Sequence, residues 1–470
     1  MYTKTHLKSV TSNRIKSHKI LYGLTVALIF MAFISCDQKS SINKSRITYK
    51  TKKDNSVTNN TLHKSRIAGE TPRVNQGEPM IKTSMIKIKP LEKGSNQDGE
   101  GNALAEKGIT QSNTVSPASS SDYDPLTNDI ARFFAGKDLS KQSKLYDWSQ
   151  KKNYSAYKKH NRDLWKLFQA SNIEKIIKWR KANLPRNTNN TVFYPFSGPD
   201  VINMLAFFPD AKDYILFGLE EPGIVPEPLK LTYTKAHSGL WQLAKAIRTI
   251  LKVNFFVTKN MIRNLGDRSF SGIAGVMMYF LAKLDYEVLD VKKIWINSKS
   301  QIVRDNKSLN EKAYIPGIEI LFRKDKASHI QRLRYFKVDV ENKMLKLYPN
   351  FIPYIESQTP FTTIIKSASY LMHNYILFTK IRDTITSKSD YILQDDSGVP
   401  LKHFLNDNWK LSYYGYYKRP VHIFNGRVQR KLRENMKKHS KGPLPFSYGY
   451  TYRKDRSNLM LAQKLQDKSR

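Results

Sequence analysis

The sequence is poor in cysteine and in acidic side chains. Cys36 is the only cysteine among 470 residues, so the chain cannot form an internal disulfide. It holds 40 Asp and Glu against 79 Lys and Arg, a formal net charge of +39. Such an excess attracts polyanions. The basic residues are nevertheless spread along the whole chain, so a biased composition explains the charge more simply, and specific nucleic-acid binding is not expected.

Several motifs that would identify an enzyme are also missing. The sequence contains no Cys/His zinc spacing, no phosphate-binding loop with Lys-Ser/Thr and no Gly-x-Ser-x-Gly elbow. No metal site is therefore predicted, the cofactor stays unknown, and no substrate class follows from these patterns.

The N-terminus has the anatomy of an export signal. Residues 1–19 carry five basic side chains and no acid, and the apolar run Ile20–Ser35 follows, ending at a small residue before Cys36. The pattern predicts a lipoprotein signal peptide over residues 1–35, lipidation of Cys36, and a location in the cell envelope with the domain outside the cytoplasm. An uncleaved anchor is the first alternative, although a span needs about 20 apolar residues. A cytoplasmic protein is the second.

Residues 36–123 differ in composition from the rest of the chain. They are rich in Ser, Thr, Asn, Lys and Gly and have almost no aromatic residues. Such a segment buries too little apolar surface to offset the entropy of ordering. We expect a disordered tether here, followed by one domain over residues 124–470.

Helical and strand patterns alternate beyond residue 124. A short β-rich run at 191–196, a helical stretch at 201–208 and a second strand at 214–219 form a unit whose short crossover favours parallel pairing. The fold class predicted is α/β: a layered domain with a mixed, partly parallel sheet flanked by helices and a Rossmann-like first βαβ unit. Further predicted elements are helices at 231–251, 269–284 and 361–385, strands at 286–291 and 391–394, and an antiparallel pair formed by 318–322 and 333–340.

Five short motifs occur within this region. They are FYPFSGPD at 193–200, GLE at 218–220, KSASYL at 366–371, QDDSG at 394–398 and LPF at 444–446. With them the chain resembles a family of uncharacterised exported bacterial proteins from about Trp148 to the C-terminus. The resemblance implies one domain and no particular chemistry.

The first candidate site is the turn Ser197–Asp200 together with Glu220. A glycine turn at Gly198 after a first strand, and an acid ending the second strand about 20 residues later, imitate a nucleotide or methyl-donor pocket. Ser197, Gly198, Asp200 and Glu220 are therefore candidate cofactor-binding residues. The alternative is structural, with Asp200 or Ser197 capping the next helix. Nucleotide cofactors are also scarce outside the cytoplasm.

The second candidate is the pair Asp395 and Asp396, directly after an apolar strand. Sites in open α/β sheets gather at the carboxyl ends of strands. Adjacent carboxylates point in different directions, and a divalent cation would need further oxygen ligands. An Asp-Ser-Gly turn explains the same residues without a function.

The third candidate depends on the helix predicted at 361–385. Lys366, Tyr370 and His373 would share one face of it. A Lys beside a Tyr can lower the pKa of the phenol and make it a general base, so Lys366 and Tyr370 are candidate catalytic residues. A solvated polar face is the alternative.

Aromatic residues are dense near the C-terminus. Tyr413, Tyr414, Tyr416 and Tyr417 form one group, and rings alternate over 446–452 as in a strand. Such rings among Lys and Arg could stack on sugars or bases, but packing onto the domain is the commoner outcome.

Two functions of different classes stay open. One is an enzyme, transferase-like or hydrolase-like, whose cleft at the carboxyl edge of the sheet holds Ser197, Asp200, Glu220 and Asp395, with Lys366 and Tyr370 on its wall. The other is an envelope lipoprotein of unknown biochemical activity, with a structural role or with a basic and aromatic surface that binds polyanions or glycans. Its expected partners are membrane lipid through Cys36 and acidic envelope polymers.

Overall fold

The computed structural model describes residues 123–185, 188–223, 225–256, 264–265, 269–304, 314–373, 376–405, 408–421, 426–450 and 457–465. The predicted signal, Cys36 and all but the last residue of the predicted tether lie outside these ranges. The helices are α1 Pro125–Phe134, α2 Tyr146–Ser149, α3 Lys152–Phe168, a π-helical segment Gln169–Ile173, α4 Glu174–Asn183, α5 Val201–Phe207, α6 Tyr233–Val253, α7 Ala274–Lys283, α8 Phe351–Glu356, α9 Ser369–His373, α10 Thr379–Lys388 and α11 Arg430–His439. Short 3-10 helices span Pro228–Lys230, Met344–Lys346 and Leu401–Phe404.

Ten strands form one mixed sheet. They are β1 Thr191–Tyr194, β2 Asp213–Gly218, β3 Glu287–Ile296, β4 Ile302–Val303, β5 Ile315–Arg323, β6 Gln331–Lys337, β7 Phe361–Ile365, β8 Ser389–Gln394, β9 Trp409–Gly415 and β10 Asn458–Lys464. Their order is β4-β3-β5-β6-β2-β1-β7-β8-β10-β9. The five central strands, β6-β2-β1-β7-β8, are parallel. The strands outside them pair antiparallel.

Helices cover both faces of the sheet. Val192 and Tyr194 of β1 point into one core, which contains residues of α1, α3, α4, α5, α6 and α7. Phe193 points into the other core, which contains residues of α8, α9, α10 and α11. This alternation follows from the two-residue period of a strand. β7 is buried at all five positions, including Thr362 and Thr363, because both faces of the sheet are covered there.

The predicted fold class is confirmed. The sheet is mixed and partly parallel, and helices flank it. The first predicted unit is present as β1–α5–β2, with Val192 paired in parallel to Tyr214. Its Rossmann-like character stays a prediction. The antiparallel pair predicted for 318–322 and 333–340 is also confirmed, since β5 pairs antiparallel with β6.

The long helix predicted over residues 361–385 is wrong. The segment instead contains β7, α9 and α10. Apolar residues at helical spacing misled the prediction, because a strand buried on both faces also places apolar side chains at positions that fit a helical stripe. Lys366 and Tyr370 therefore do not share a helical face: Lys366 follows β7 directly, and Tyr370 lies on α9.

The helices that the structure describes include none long and apolar enough to cross a membrane. The apolar run Ile20–Ser35 lies outside the described residues.

Candidate functional site

Most of the predicted site residues lie where the parallel strands end. Ser197, Gly198 and Asp200 follow β1, Glu220 follows β2, Lys366 follows β7, and Asp395 and Asp396 follow β8. Parallel strands present their carboxyl ends at one edge of the sheet, so the topology brings these residues to a common edge.

The turn after β1 has an unusual backbone. Phe196 and Gly198 both adopt positive φ, 59° and 54°. Glycine tolerates this conformation, but for Phe196 it costs about 1–2 kcal/mol. Ser367, which follows Lys366 at the end of β7, also has a positive φ of 54°. Two neighbouring strands thus each end at a strained non-glycine residue.

Asp200 is the centre of a buried polar network. Its Oδ2 accepts hydrogen bonds from the Tyr194 hydroxyl at 2.8 Å and from the Lys366 ammonium at 3.1 Å. Its Oδ1 accepts from the backbone N–H of Asn203 at 3.1 Å, so Asp200 caps α5. The structural alternative proposed for Asp200 is therefore present. Ser197 takes no part in capping, because its hydroxyl donates to the carbonyl of Gly198.

Lys366 connects two segments through a buried ammonium. The residue is 4 % exposed, and its Nζ also donates to the backbone carbonyl of Asn254. Asn254 ends α6 in the left-handed conformation, and its side-chain amide donates to the Ser447 carbonyl at 2.9 Å. A buried ammonium requires such partners to offset its lost hydration.

Burial and nearby carboxylates set the protonation state of Tyr194 and Tyr448. Burial, and then the nearby charge of Asp200, raises the pKa of Tyr194 well above its usual range. Burial followed by Asp395 and Asp200 does the same to the pKa of Tyr448. Both phenols therefore stay protonated and act as hydrogen-bond donors.

Glu220 lies against the turn after β1. A Cβ built on Gly198 would be 3.5 Å from Glu220 Oε2, and a Cβ on Gly218 would collide with the same oxygen. The Tyr335 hydroxyl donates to that carboxylate at 3.1 Å, and Glu220 is 4 % exposed. The two glycines let the ends of β1 and β2 approach and leave room for the acid.

Asp395 and Asp396 point to different neighbours. Asp395 Oδ1 accepts from the Ser397 hydroxyl at 2.5 Å, and its Oδ2 accepts from the backbone N–H of Ser367 at 3.2 Å. Asp396 Oδ1 instead accepts from the Asn458 amide of β10 at 2.8 Å. Burial raises the pKa of Asp395, against the hydrogen bonds from Ser397 and Ser367 and the charge of Lys366. Burial, and then the charge of Asp395, raises the pKa of Asp396 to about 7.

Tyr370 lies beside the turn after β1, whereas Lys366 Nζ donates to Asp200 and Asn254. Its ring stacks on Phe196 with centroids 5.6 Å apart. Burial, followed by the charges of Tyr450 and Glu220, raises the pKa of Tyr370. This direction is unfavourable for a general base at neutral pH.

The C-terminal aromatics mostly pack inside the domain. Phe446 and Tyr448 are buried, and the residues 446–450 form no strand, so the expected alternation of rings on a strand is wrong there. Tyr413, Tyr414 and Tyr417 are also buried, whereas Tyr416 is exposed. Tyr452 lies outside the described residues.

Two surface cavities occur elsewhere. One, of about 520 Å³, lies between the segment before α8 and helix α10, and the other, of about 400 Å³, lies between α3 and α6. Neither is lined by the predicted site residues, although Asn254 lines the second. Among the residues that the structure describes, no three His, Cys, Asp or Glu side chains are placed to hold a metal ion.

The structure thus brings Asp200 and Lys366 into direct contact and places Glu220 against Gly198. Asp395 accepts from the backbone N–H of Ser367, the residue after Lys366. Asp396 instead accepts from Asn458, and the Ser197 hydroxyl donates to the Gly198 carbonyl. Sequence reasoning missed Tyr194, Tyr448 and Asn254. Tyr194 lies inside the FYPFSGPD motif, which was a usable signal, whereas nothing in the sequence places Asn254 beside Lys366.

Comparisons with protein-family models, with curated proteins and with solved structures found no match to this chain.

Proposed function

We propose that the domain binds a nucleoside-containing ligand of the S-adenosylmethionine type at the carboxyl edge of its parallel strands, as a transferase-like enzyme. One observation carries the proposal. In chain order, the five parallel strands lie third-second-first-fourth-fifth, the order of doubly wound nucleotide-binding sheets. In such sheets ligands bind where the order reverses. Here that point lies between β1 and β7, between Asp200 and Lys366.

Glu220 supports the nucleoside part of the ligand. An acid at the end of the second strand, about 20 residues after the glycine turn, hydrogen-bonds ribose hydroxyls in such folds. Glu220 is in this position, beside Gly198 and buried. The two positive-φ residues Phe196 and Ser367 flank the same point, and backbone strain of this kind concentrates at functional sites.

The charges favour a methyl donor over a dinucleotide or ATP. The N-terminus of α5, which would hold a pyrophosphate, is already occupied by the carboxylate of Asp200. Among the described residues at this edge, Asp200, Glu220 and Asp395 provide three carboxyl groups, and Lys366 provides one ammonium. A phosphate would be repelled there, whereas a sulfonium cation would be attracted.

Calorimetry on the full chain tests this proposal. S-adenosylmethionine should bind more tightly than ATP or NAD, and Glu220→Gln should weaken binding at least tenfold, because a neutral amide oxygen replaces the charged carboxylate that accepts from the ribose. The matched control is Glu227→Gln, which changes an exposed acid paired only with Lys230. Absence of binding, or equal binding by Glu220→Gln, would refute the proposal.

We also propose that the chain is an envelope lipoprotein anchored through Cys36, on the basis of the basic segment, the apolar run and the lone cysteine at its end. A fatty-acid analogue should label the wild type and leave Cys36→Ser unlabelled. Equal labelling of both would refute the anchor. S-adenosylmethionine is scarce outside the cytoplasm, so location and ligand are tested separately and either proposal can fail alone.

Polyanion binding is a second candidate function, and α11 favours it. Its exposed face carries Arg430, Lys431, Arg433, Lys437 and Lys438, with Glu434 as the one acid. Within the described part of the chain, no ion pair involves these cations. In α3, by contrast, Lys158 and Arg162 are paired with acids. Unpaired cations on one helix form a site for an acidic polymer.

Retention on a sulfated-glycan column tests this second candidate. The variant R430E/R433E/K437E should elute at a clearly lower salt concentration than K152E/K159E/K166E, which makes the same change of charge on exposed positions of α3. Equal elution of the two variants would show that only the net charge matters.

A further inference from the structure

The cavity between α3 and α6 has the composition of an amphipathic site. Its volume of about 400 Å³ is within the range of small-molecule pockets. Leu164 and Phe168 of α3 contribute apolar surface, and Leu167 at the same site is 73 % exposed. Exposed apolar surface beside a concave region is typical of a binding site.

The polar part of this cavity is cationic. Arg248 and Lys252 both line it from α6, and their spacing of four residues places them on one face of that helix. None of the lining residues is acidic. Over the residues that the structure describes, neither cation forms an ion pair within 4 Å.

Irregular backbone surrounds the cavity. The π-helical segment Gln169–Ile173 continues directly from α3, and Ser171 and Asn172 line the cavity from it. Short π-helices occur frequently at functional sites. On the opposite side, the left-handed Asn254 also lines the cavity. The carbonyl of Asn254 accepts from Lys366, so the cavity is separated from the strand-edge network by one residue.

We propose that this cavity binds a small amphipathic anion, an alkyl chain that ends in a carboxylate. The chain lies on Leu164, Leu167 and Phe168, and the carboxylate pairs with Arg248 and Lys252. This site is distinct from the one proposed for the nucleoside ligand, and it does not depend on that function.

Dodecanoate, below its micellar concentration, is the probe. Calorimetry on the full chain should show saturable binding of dodecanoate and no binding of dodecyltrimethylammonium, which has the same chain and the opposite charge. The variant R248Q/K252Q should weaken dodecanoate binding at least tenfold, and Leu167→Gln should weaken it several-fold. Leu167, Arg248 and Lys252 are exposed, so these variants retain the fold.

The matched control is K235Q/K245Q, which removes two exposed cations from α6 outside the cavity. It should bind dodecanoate as the wild type does. The proposal is overturned if the wild type does not bind dodecanoate, if both probes bind equally, or if the control variant loses as much affinity as R248Q/K252Q.

Discussion

Asp200 and Lys366 form an ion pair whose side chains are almost fully buried, 4 % and 1 % exposed. Such a pair contributes little net stability, because the desolvation of two charges offsets their attraction. Removing one partner is different, since the other charge is then buried and unpaired. The pair therefore makes the two strand ends dependent on each other.

We predict that Lys366→Met destabilises the domain by about 3–5 kcal/mol, because the Asp200 carboxylate keeps only neutral partners. The double variant D200N/K366M should recover a large part of this loss, since no unpaired charge remains. Urea unfolding of the three proteins measures both values. Additive losses in the double variant would contradict the coupling.

Asp396 gives the domain a pH-dependent stability near neutrality. Its pKa in the folded state is about 7, above the value of an unfolded Asp. A carboxyl group with a raised pKa favours folding below the unfolded pKa and loses this contribution as the pH rises through about 7.

The free energy of unfolding of Asp396→Asn, minus that of the wild type, should therefore increase by about 1–3 kcal/mol from pH 5 to pH 8. The Asn side chain keeps an oxygen that can accept from Asn458. Urea unfolding at the two pH values measures the difference. Asp163→Asn on the exposed surface of α3 serves as the control, and a gain of the same size there would contradict the assignment to Asp396.

At the scale of elements, a buried ion pair ties β5 to β6. Glu319 of β5 accepts from Arg334 of β6 at 2.8 Å and from Arg304 at 2.8 Å. Burial alone would raise the pKa of Glu319, but Arg334 and Arg304 lower it below its ordinary value. Arg334 also donates to the Tyr354 hydroxyl of α8 at 3.3 Å, which connects the pair to a helix.

Glu319→Gln should destabilise the domain by about 3 kcal/mol at pH 7, because it leaves Arg334 buried without a counter-charge. The lowered pKa means that the stabilisation is present above about pH 4.5 and is lost as the pH falls through the folded value. The deficit of the variant should accordingly shrink in acid. Glu227→Gln, in an exposed pair, should change stability by less than about 1 kcal/mol. Equal effects of the two substitutions would contradict this account.

Strands and helices with a clear hydrophobic pattern could be predicted from the sequence. The apolar runs of β1 and β2 are bounded by Pro, Gly and Asp, and the helix α6 has a long apolar stripe, so periodicity was sufficient. β7 could not be separated from the short helix that follows, because Phe361, Ile364 and Ala368 fit the spacing of a helix and a strand buried on both faces shows no alternation. β9 and β10 were missed, since they are far apart in the chain and pair only with each other and β8.

The sequence predicted the edge of the sheet at which the candidate site lies, but not which of its side chains are in contact. The position of each polar residue after an apolar strand was enough to expect Asp200, Glu220, Lys366 and Asp395 at one edge. Which side chains face each other depends on the strand order, which the sequence pattern does not contain. For this reason the sequence does not predict the contact of Lys366 with Asn254, which lies 112 residues away in the chain.

At the scale of the molecule, helix α1 is part of the domain's core. Phe133 and Phe134 of α1 are fully buried, and the Tyr154 hydroxyl donates to the Phe133 carbonyl at 2.9 Å. α1 also packs on α7 and β3. The core therefore includes this first helix.

A chain that begins at residue 123 should unfold within about 0.5 kcal/mol of one that begins at residue 37. A chain that begins at residue 145 should lose several kcal/mol or fail to fold, because the burial of two Phe side chains at about 3–5 kcal/mol each is removed. Denaturant unfolding of the three chains measures this. Equal stability of the shortest chain would place the domain start after α1.

The two outer ends of the sheet bear on how the protein behaves at high concentration. An exposed strand with free N–H and C=O groups templates association with another chain. On one side β4 is only two residues long, and β3 carries a bulge at Leu289 and exposed lysines at 292 and 293. On the other side, the N–H of Lys441 donates to the Tyr413 carbonyl and the N–H of Gly415 donates to the Gly442 carbonyl, so the segment after α11 covers part of β9. The two outer ends of this open ten-stranded sheet are therefore short, bulged, charged or partly covered, and we expect them to resist edge-to-edge aggregation.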